Sequence, residues 1–248
     1  VYNLFGKTVI MILIQLGGIG IITFSAIVVM MISKKVGYFT KKLIQEDINT
    51  NTTFGIQKFV KKVLITVFTI EIIGAAILFL KFIQIFDYKK AIYYSIFHSI
   101  SAFCNAGFAL FTNNLSDFKN SIIINTVIPV LIFLGGIGFA AILNIYQYFL
   151  KKDKRLTTTT RIAIKMSIFL IIFGTIITFI LEYSNNKTLG TLPFFEKIGA
   201  AFFQSVTTRT AGFNTISIAG LREPTVFLFV VLMFIGASPG STGGGIKT

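Results

Sequence analysis

The chain has 248 residues, 54% of them hydrophobic, with a mean hydropathy of +0.81 and 23 basic residues against 9 acidic ones. Several apolar runs of about twenty residues or more exclude an ordinary soluble domain, and basic residues gathered in short loops between those runs exclude a nucleic-acid partner. A single cysteine, Cys104, excludes an internal disulfide framework. No Cys, His and carboxylate cluster has metal-ligand spacing, so neither redox chemistry, nor an enzyme, nor a resident cofactor is expected.

In chain order, Thr8 to Ile32 reads as the first membrane span, interrupted only by Gln15 and small hydroxyls. Its Leu16-Gly17-Gly18-Ile19-Gly20 segment suits the close approach of another helix. Residues 33–62 are polar and basic, with Lys34, Lys35, Lys41, Lys42, Lys58, Lys61 and Lys62 against Glu46 and Asp47, which assigns this stretch to the cytoplasm. Val63 to Ile85 is the second span, with Glu71 inside it, where a carboxylate needs a hydrogen-bond partner or a watery path.

Ala91 to Phe103 is apolar for 13 residues. As a helix it reaches about 20 Å, too short for a hydrocarbon core of about 30 Å, so it should enter the membrane and turn back. Asn120 to Leu150 reads as the third span, with Pro129 and a second Leu134-Gly135-Gly136-Ile137-Gly138. Residues 151–165 form a second basic loop, and the two loops hold thirteen of the 23 basic residues.

The order then recurs: Arg161 to Tyr183 as a span, Phe194 to Val206 as a second short helix, Thr207 to Asn214 as a glycine-bearing leg, and a span from Pro224. The fold class is therefore an all-α membrane protein of repeated span, re-entrant helix and span units. The expected divisions are 1–33 (last span of a first repeat), 34–58 (linker), 59–150 (second repeat), 151–160 (linker) and 161–248 (third repeat, truncated). Beginning at Val1 and stopping at Thr248, the chain reads as a fragment of a longer protein.

The two legs carry the chemistry. Asn105-Ala106-Gly107-Phe108 and Thr210-Ala211-Gly212-Phe213 each follow a short helix, and their glycines lie 105 residues apart. A residue without Cβ can turn its carbonyls to a central axis, where they replace the hydration shell of a cation, and the C-terminal ends of the two half-helices add partial negative charge there. Further on, Gly236-Ala237-Ser238-Pro239-Gly240-Ser241-Thr242-Gly243-Gly244-Gly245 should break the last span, because glycine and proline cost a helix about 1 and about 3 kcal/mol each. Broken helices at membrane depth line cavities, which makes this stretch a gate beneath the legs.

Other features read as structural. The ending Gly243-Gly244-Gly245-Ile246-Lys247 lacks the Gly-Lys of a phosphate loop. His98 and Cys104 read as packing residues, and Arg209 is expected to brace its leg through backbone groups or a carboxylate such as Glu196. Triplets at Asn51, Asn114 and Asn186 match the weak glycosylation pattern.

The residues Ser101 to Phe108 resemble the second filter sequence of the Trk/Ktr/HKT superfamily of potassium transporters, most like the bacterial Ktr-type membrane subunit. Thr207 to Asn214 is similar to the third filter sequence, and Gly236 to Gly245 to the family's intramembrane loop. The resemblance implies four repeats around one potassium pathway in the plasma membrane, a homodimer, and a cytoplasmic nucleotide-binding regulatory subunit, with sodium dependence in many members. Two of four filter segments are expected here, which alone would not close a pore. An alternating-access cation transporter is the other reading, but it needs inverted repeats, and both repeats here start from a basic loop.

Overall fold

The computed structural model describes residues 3–20, 56–150 and 155–247. The second half of the first predicted span, and most of the first basic stretch with its Asn51 triplet, lie outside these. The described residues hold eight α-helices and two single 3-10 turns, with no strand. Helix α1 (Leu4–Ile19) starts where the Asn3 side chain accepts the Gly6 amide, and it stops at Gly20 with φ +87°.

Helix α2 (Ile56–Phe82) turns over into α3 (Tyr88–Phe103), followed by α4 (Ile122–Gly136) and α5 (Phe139–Phe149). Helix α6 (Thr158–Glu182) turns over into α7 (Phe194–Thr208), followed by α8 (Glu223–Phe234). Val60–Phe82 and Thr158–Glu182 are each long and apolar enough to cross a membrane. Helix α3 packs against α2, α4 and α1, and α7 against α6, α8 and α4, so α4 joins the two groups.

Small residues set these contacts, as expected where lipid is as apolar as the helix surface. A Cβ on Gly74 of α2 would lie 2.6 Å from Ser99 Oγ, and one on Gly174 of α6 would lie 2.4 Å from Ser205 Oγ. The serines use that closeness: Ser99 Oγ donates to the Glu71 carbonyl at 2.7 Å, and Ser205 Oγ to the Ile171 carbonyl at 2.8 Å. Gly18 of α1 takes the same role against Cys104, whose Sγ lies 2.2 Å from where its Cβ would be. The main core is built from Leu78, Phe82, Phe97, Phe103, Ile124, Ile128 and Leu131 of α2 to α4.

The structure corrects the expected third span. Asn120 to Leu150 is not one helix: α4 and α5 meet at Ile137–Gly138 with a bend of 104°. The break is not at Pro129, which sits inside α4, but at Gly138 with φ +92°. There the backbone groups freed by the break bond to the glycine-rich loop, with Ser238 N on the Gly136 carbonyl, Thr242 N on the Gly135 carbonyl and Phe139 N on the Gly240 carbonyl, at 2.9 to 3.1 Å. The short helices are also longer than predicted, 16 and 15 residues, since α3 starts at Tyr88 and α7 runs through Thr208.

Candidate functional site

The C-terminal ends of α3 and α7 deliver two legs of matching conformation. After α3, the Asn105 amide donates to the Ala102 carbonyl and the Ala106 amide to the Ser101 carbonyl; after α7, the Ala211 and Gly212 amides both donate to the Thr207 carbonyl. Asn105 and Gly107 have φ of +52° and +70°, and Thr210 and Gly212 have +74° and +87°. Ala106 and Ala211 between them are not left-handed. Alternation of backbone hand turns successive carbonyls toward one side of the chain, and glycine meets that requirement without strain.

Two observations bear on what these carbonyls can do. Among the described residues, none donates a hydrogen bond to the carbonyls of Asn105, Ala106 and Gly107 or of Thr210, Ala211 and Gly212. The legs also touch at their glycines: a Cβ on Gly107 would lie 2.2 Å from the Ala211 carbonyl oxygen and 2.9 Å from Gly212 Cα. Six unpaired acceptors at adjoining turns, each at the negative end of a helix, form a surface suited to a desolvated cation. Of the aromatic residues closing the two motifs, Phe213 is buried and Phe108 is exposed.

The far ends of the legs are tied down. Ser101 Oγ donates to the Phe108 carbonyl at 2.8 Å. His98 accepts the Leu110 amide on Nε2 at 3.2 Å while Nδ1 lies 2.7 Å from the Tyr94 carbonyl, so Nδ1 carries the proton and the ring is neutral and fully bonded. The legs are also bonded to one another, since the Leu115 amide donates to the Asn214 carbonyl, and Asn214 bonds Asn114 and Ser116 through its amide and side chain. Asn114 and Ser116 carry no pattern in the sequence that pairs them with Asn214.

The Gly236–Gly245 loop lies directly against both legs. It folds back on itself through Gly236 N on the Ile246 carbonyl, Ala237 N on the Gly244 carbonyl and Ile246 N on the Phe234 carbonyl. Thr242 Oγ1 donates to the Phe103 carbonyl at 2.9 Å and accepts from Asn105 Nδ2 at 2.8 Å, while the Gly244 amide donates to Thr210 Oγ1 at 3.2 Å. Gly243 fits between the legs, because a Cβ there would lie 2.7 Å from Thr210 Oγ1. Gly135, Gly136 and Gly138, noted in the sequence only as a second copy of the Leu-Gly-Gly-Ile-Gly segment, are the seat of this loop.

Arg209 braces its leg as expected, but through backbone: Nη2 donates to the Gly236 carbonyl at 3.2 Å, and Glu196 is not its partner. The guanidinium thereby connects the end of α7 to the start of the glycine-rich loop. Glu71 is buried with structural partners, accepting from Gln15 Nε2 at 3.0 Å and from the Cys104 thiol. Among the described residues no group of three or more His, Cys, Asp or Glu side chains could hold a metal ion.

Comparison with known proteins agrees with this architecture. A family model described as TrkH, cation transport protein, matches residues 1–248. Ktr system potassium uptake protein B of Bacillus subtilis is 39% identical over 246 residues, covering 99% of this chain and 55% of that protein. Its namesake from Vibrio alginolyticus is 34% identical, with 99% and 54% covered, and the potassium/sodium uptake protein NtpJ of Enterococcus hirae is 34% identical, with 100% and 54% covered. The chain thus spans about half the length of the curated relatives it matches. The crystal structure of the potassium transporter TrkH from Vibrio parahaemolyticus superposes with a TM-score of 0.69 at 21% identity, covering 96% of this chain and 45% of that one. The chain has the all-α fold of that membrane transporter, in a family that is not one of enzymes, and it belongs to the TrkH family of cation transport proteins.

Proposed function

We propose that this chain is part of a subunit for potassium uptake across the plasma membrane, with Asn105 to Phe108 and Thr210 to Phe213 as two of its filter segments. The observation that carries this reading is the pair of legs with matching backbone hand and unpaired carbonyls that touch at Gly107 and Gly212. Potassium is the transported ion in this reading, bound by the carbonyls beside those glycines, because a ring of neutral backbone oxygens replaces a hydration shell without fixed charge. The names of the relatives, potassium uptake protein B and potassium/sodium uptake protein NtpJ, support potassium as cargo and sodium as a coupling or activating ion.

The repeat boundaries at 59–150 and 161–248, with the linkers 34–58 and 151–160 between and before them, belong to the same proposal. So do the cytoplasmic placement of loops 33–62 and 151–165, a homodimer, and a cytoplasmic nucleotide-binding regulatory subunit. The loop Gly236–Gly245 is proposed as the gate, since it bonds both legs and the break in the third span.

The test is potassium uptake at low external potassium, in cells without their own uptake systems, by the full-length transporter and its Gly212→Ser variant. A Cβ at φ +87° strains the leg, so rescue by the parent with sharply reduced apparent affinity in the variant is the expected result. A membrane-inserted parent that gives no rescue, even with its regulatory partner, would overturn potassium as the cargo.

A further inference from the structure

We propose that α5 lies in the membrane interface, binds anionic phospholipid headgroups, and passes their presence to the glycine-rich loop. This rests on the cytoplasmic placement of residues 151–165 proposed above. With α4 and α5 bent by 104°, an α4 that follows the membrane normal leaves α5 running close to the membrane plane. The N-terminal half of α5 is buried at Ala141, Ile142, Leu143 and Asn144, and its C-terminal half exposes Tyr146, Tyr148 and Phe149, followed by the exposed Leu150.

The composition of that exposed end differs from the lipid-facing sides of the spans. Exposed large residues on α2 and α6 are hydrocarbon, such as Ile65, Ile72, Leu80, Phe169, Ile176 and Ile180, as acyl chains require. Two exposed tyrosines beside a phenylalanine instead suit the headgroup boundary, where a ring can be apolar at one end and wet at the other.

Charge complementarity identifies the occupant. Arg155, Arg161 and Lys165 are exposed, none of the three forms a salt bridge among the described residues, and residues 151–165 carry six basic residues against the single Asp153. The segment that carries them is held to α5 by one bond, from the Thr157 amide to Asn144 Oδ1 at 2.9 Å, and Arg161 and Lys165 follow it in the first two turns of α6. An in-plane aromatic helix with a basic segment fixed to it fits the phosphate of an anionic lipid in the cytoplasmic leaflet.

The route to the pore is short. The first amide of α5, Phe139 N, donates to the Gly240 carbonyl at 2.9 Å, and a Cβ on Gly138 would lie 2.6 Å from the Pro239 carbonyl oxygen. A headgroup that fixes the orientation of α5 therefore acts on the loop through its first residue.

The test uses the full-length transporter in vesicles of phosphatidylcholine alone and with part of it replaced by phosphatidylglycerol. Two readouts are taken, lipid retained by the protein in native mass spectrometry and potassium flux. Phosphatidylglycerol is expected to be retained over phosphatidylcholine, with the preference falling about fivefold for each of Arg155→Gln and Arg161→Gln and preserved in Arg161→Lys. Flux is expected to depend on phosphatidylglycerol in the parent and to lose that dependence in the double glutamine variant.

Equal retention of the two lipids, or a preference unmoved by the glutamine variants, overturns the site. If Arg155→Gln with Arg161→Gln weakens regulatory-subunit binding and leaves the lipid preference intact, the surface belongs to a protein partner and the proposal fails. Retention without any lipid dependence of flux overturns the coupling to the loop. A transporter that retains phosphatidylglycerol but carries no potassium in either vesicle would count against the potassium reading and leave the lipid site standing.

Discussion

The α2–α3–α4 group and the α6–α7–α8 group use one backbone plan and two opposite interiors. Gly74 and Gly174 align at an offset of one hundred residues, and each receives a serine, Ser99 or Ser205, that bonds a carbonyl one turn earlier on the long helix. Within that alignment the buried residues Val67, Leu78 and Phe82 of the first group correspond to the equally buried Ser167, Thr178 and Glu182 of the second. The first group closes the end at its α2–α3 turn with rings: Phe82 contacts Phe86, Tyr94, His98, Phe111 and Phe118 at centroid distances of 5.5 to 6.5 Å. The second closes it with a carboxylate: Glu182 accepts from Thr188 Oγ1, Asn185 Nδ2, Thr225 Oγ1 and the Arg222 amide.

The difference shows what a membrane fold leaves free. Lipid supplies no apolar driving force between helices, so an interior position can be filled by an apolar or a polar side chain, and at Ser167 and Thr178 the polar one is buried with no hydrogen-bond partner among the described residues. The two solutions should fail differently. Packing loses energy in proportion to the atoms removed, whereas a satisfied polar cluster loses most of its contribution when its one shared acceptor goes.

The largest expected effect follows from that contrast. Glu182→Leu removes four hydrogen bonds, leaves Thr225 Oγ1 and the Arg222 amide without the acceptor they use, and should cost roughly 4 kcal/mol, at about 1 kcal/mol for each bond. Phe82→Leu, at the aligned position, strands no donor but removes a ring from five aromatic contacts, and should cost about 2 kcal/mol. Thermal unfolding midpoints of the two full-length variants in detergent measure the pair. Equal losses would break the comparison.

A smaller effect separates the residues next to the aligned serines. His98→Phe keeps a ring stacked on Phe111, 4.8 Å away, but removes the acceptor of the Leu110 amide and the donor to the Tyr94 carbonyl, at about 2 kcal/mol. Gln204, at the matching position of α7, is fully buried with both amide atoms unpaired, so Gln204→Leu should be neutral or stabilising. The same melting assay gives the sign for each. A large loss from Gln204→Leu would mean that the second interior is satisfied in a way its side-chain bonds do not show.

How much of this was legible in the sequence follows from the range of each cause. Apolar run length reported the long helices and the shortness of α3 and α7, because hydropathy and length are local. The legs were legible from glycine recurring after each short helix, and their left-handed Gly107 and Gly212 agree with that reading. The extra first turn of α3 was missed because the prediction followed the apolar run, which starts at Ala91 after Lys89 and Lys90. The break at Gly138 was not legible, since Pro129 is the stronger local breaker. What decides between them is three hydrogen bonds from a loop one hundred residues away. The partner of Arg209 was hidden for the same reason: a carbonyl acceptor leaves no mark on the sequence.

The smallest prediction tests the alignment itself. Ser99→Ala and Ser205→Ala each delete one buried hydroxyl and its bond to a helix carbonyl, of length 2.7 and 2.8 Å. Each also removes the atom lying against the facing glycine, so transfer, bonding and void contributions match in the two variants. The carbonyls of Glu71 and Ile171 lie inside long helices, where their intrahelical bonds remain, so the loss should be about 1 kcal/mol in either case. Similar shifts in melting midpoint would show that the serine strap is set by the shared backbone, whatever fills the interior around it. If Ser205→Ala cost far more than Ser99→Ala, the strap would belong to the polar network of the second group, and aligning Gly74 with Gly174 would lose its energetic meaning.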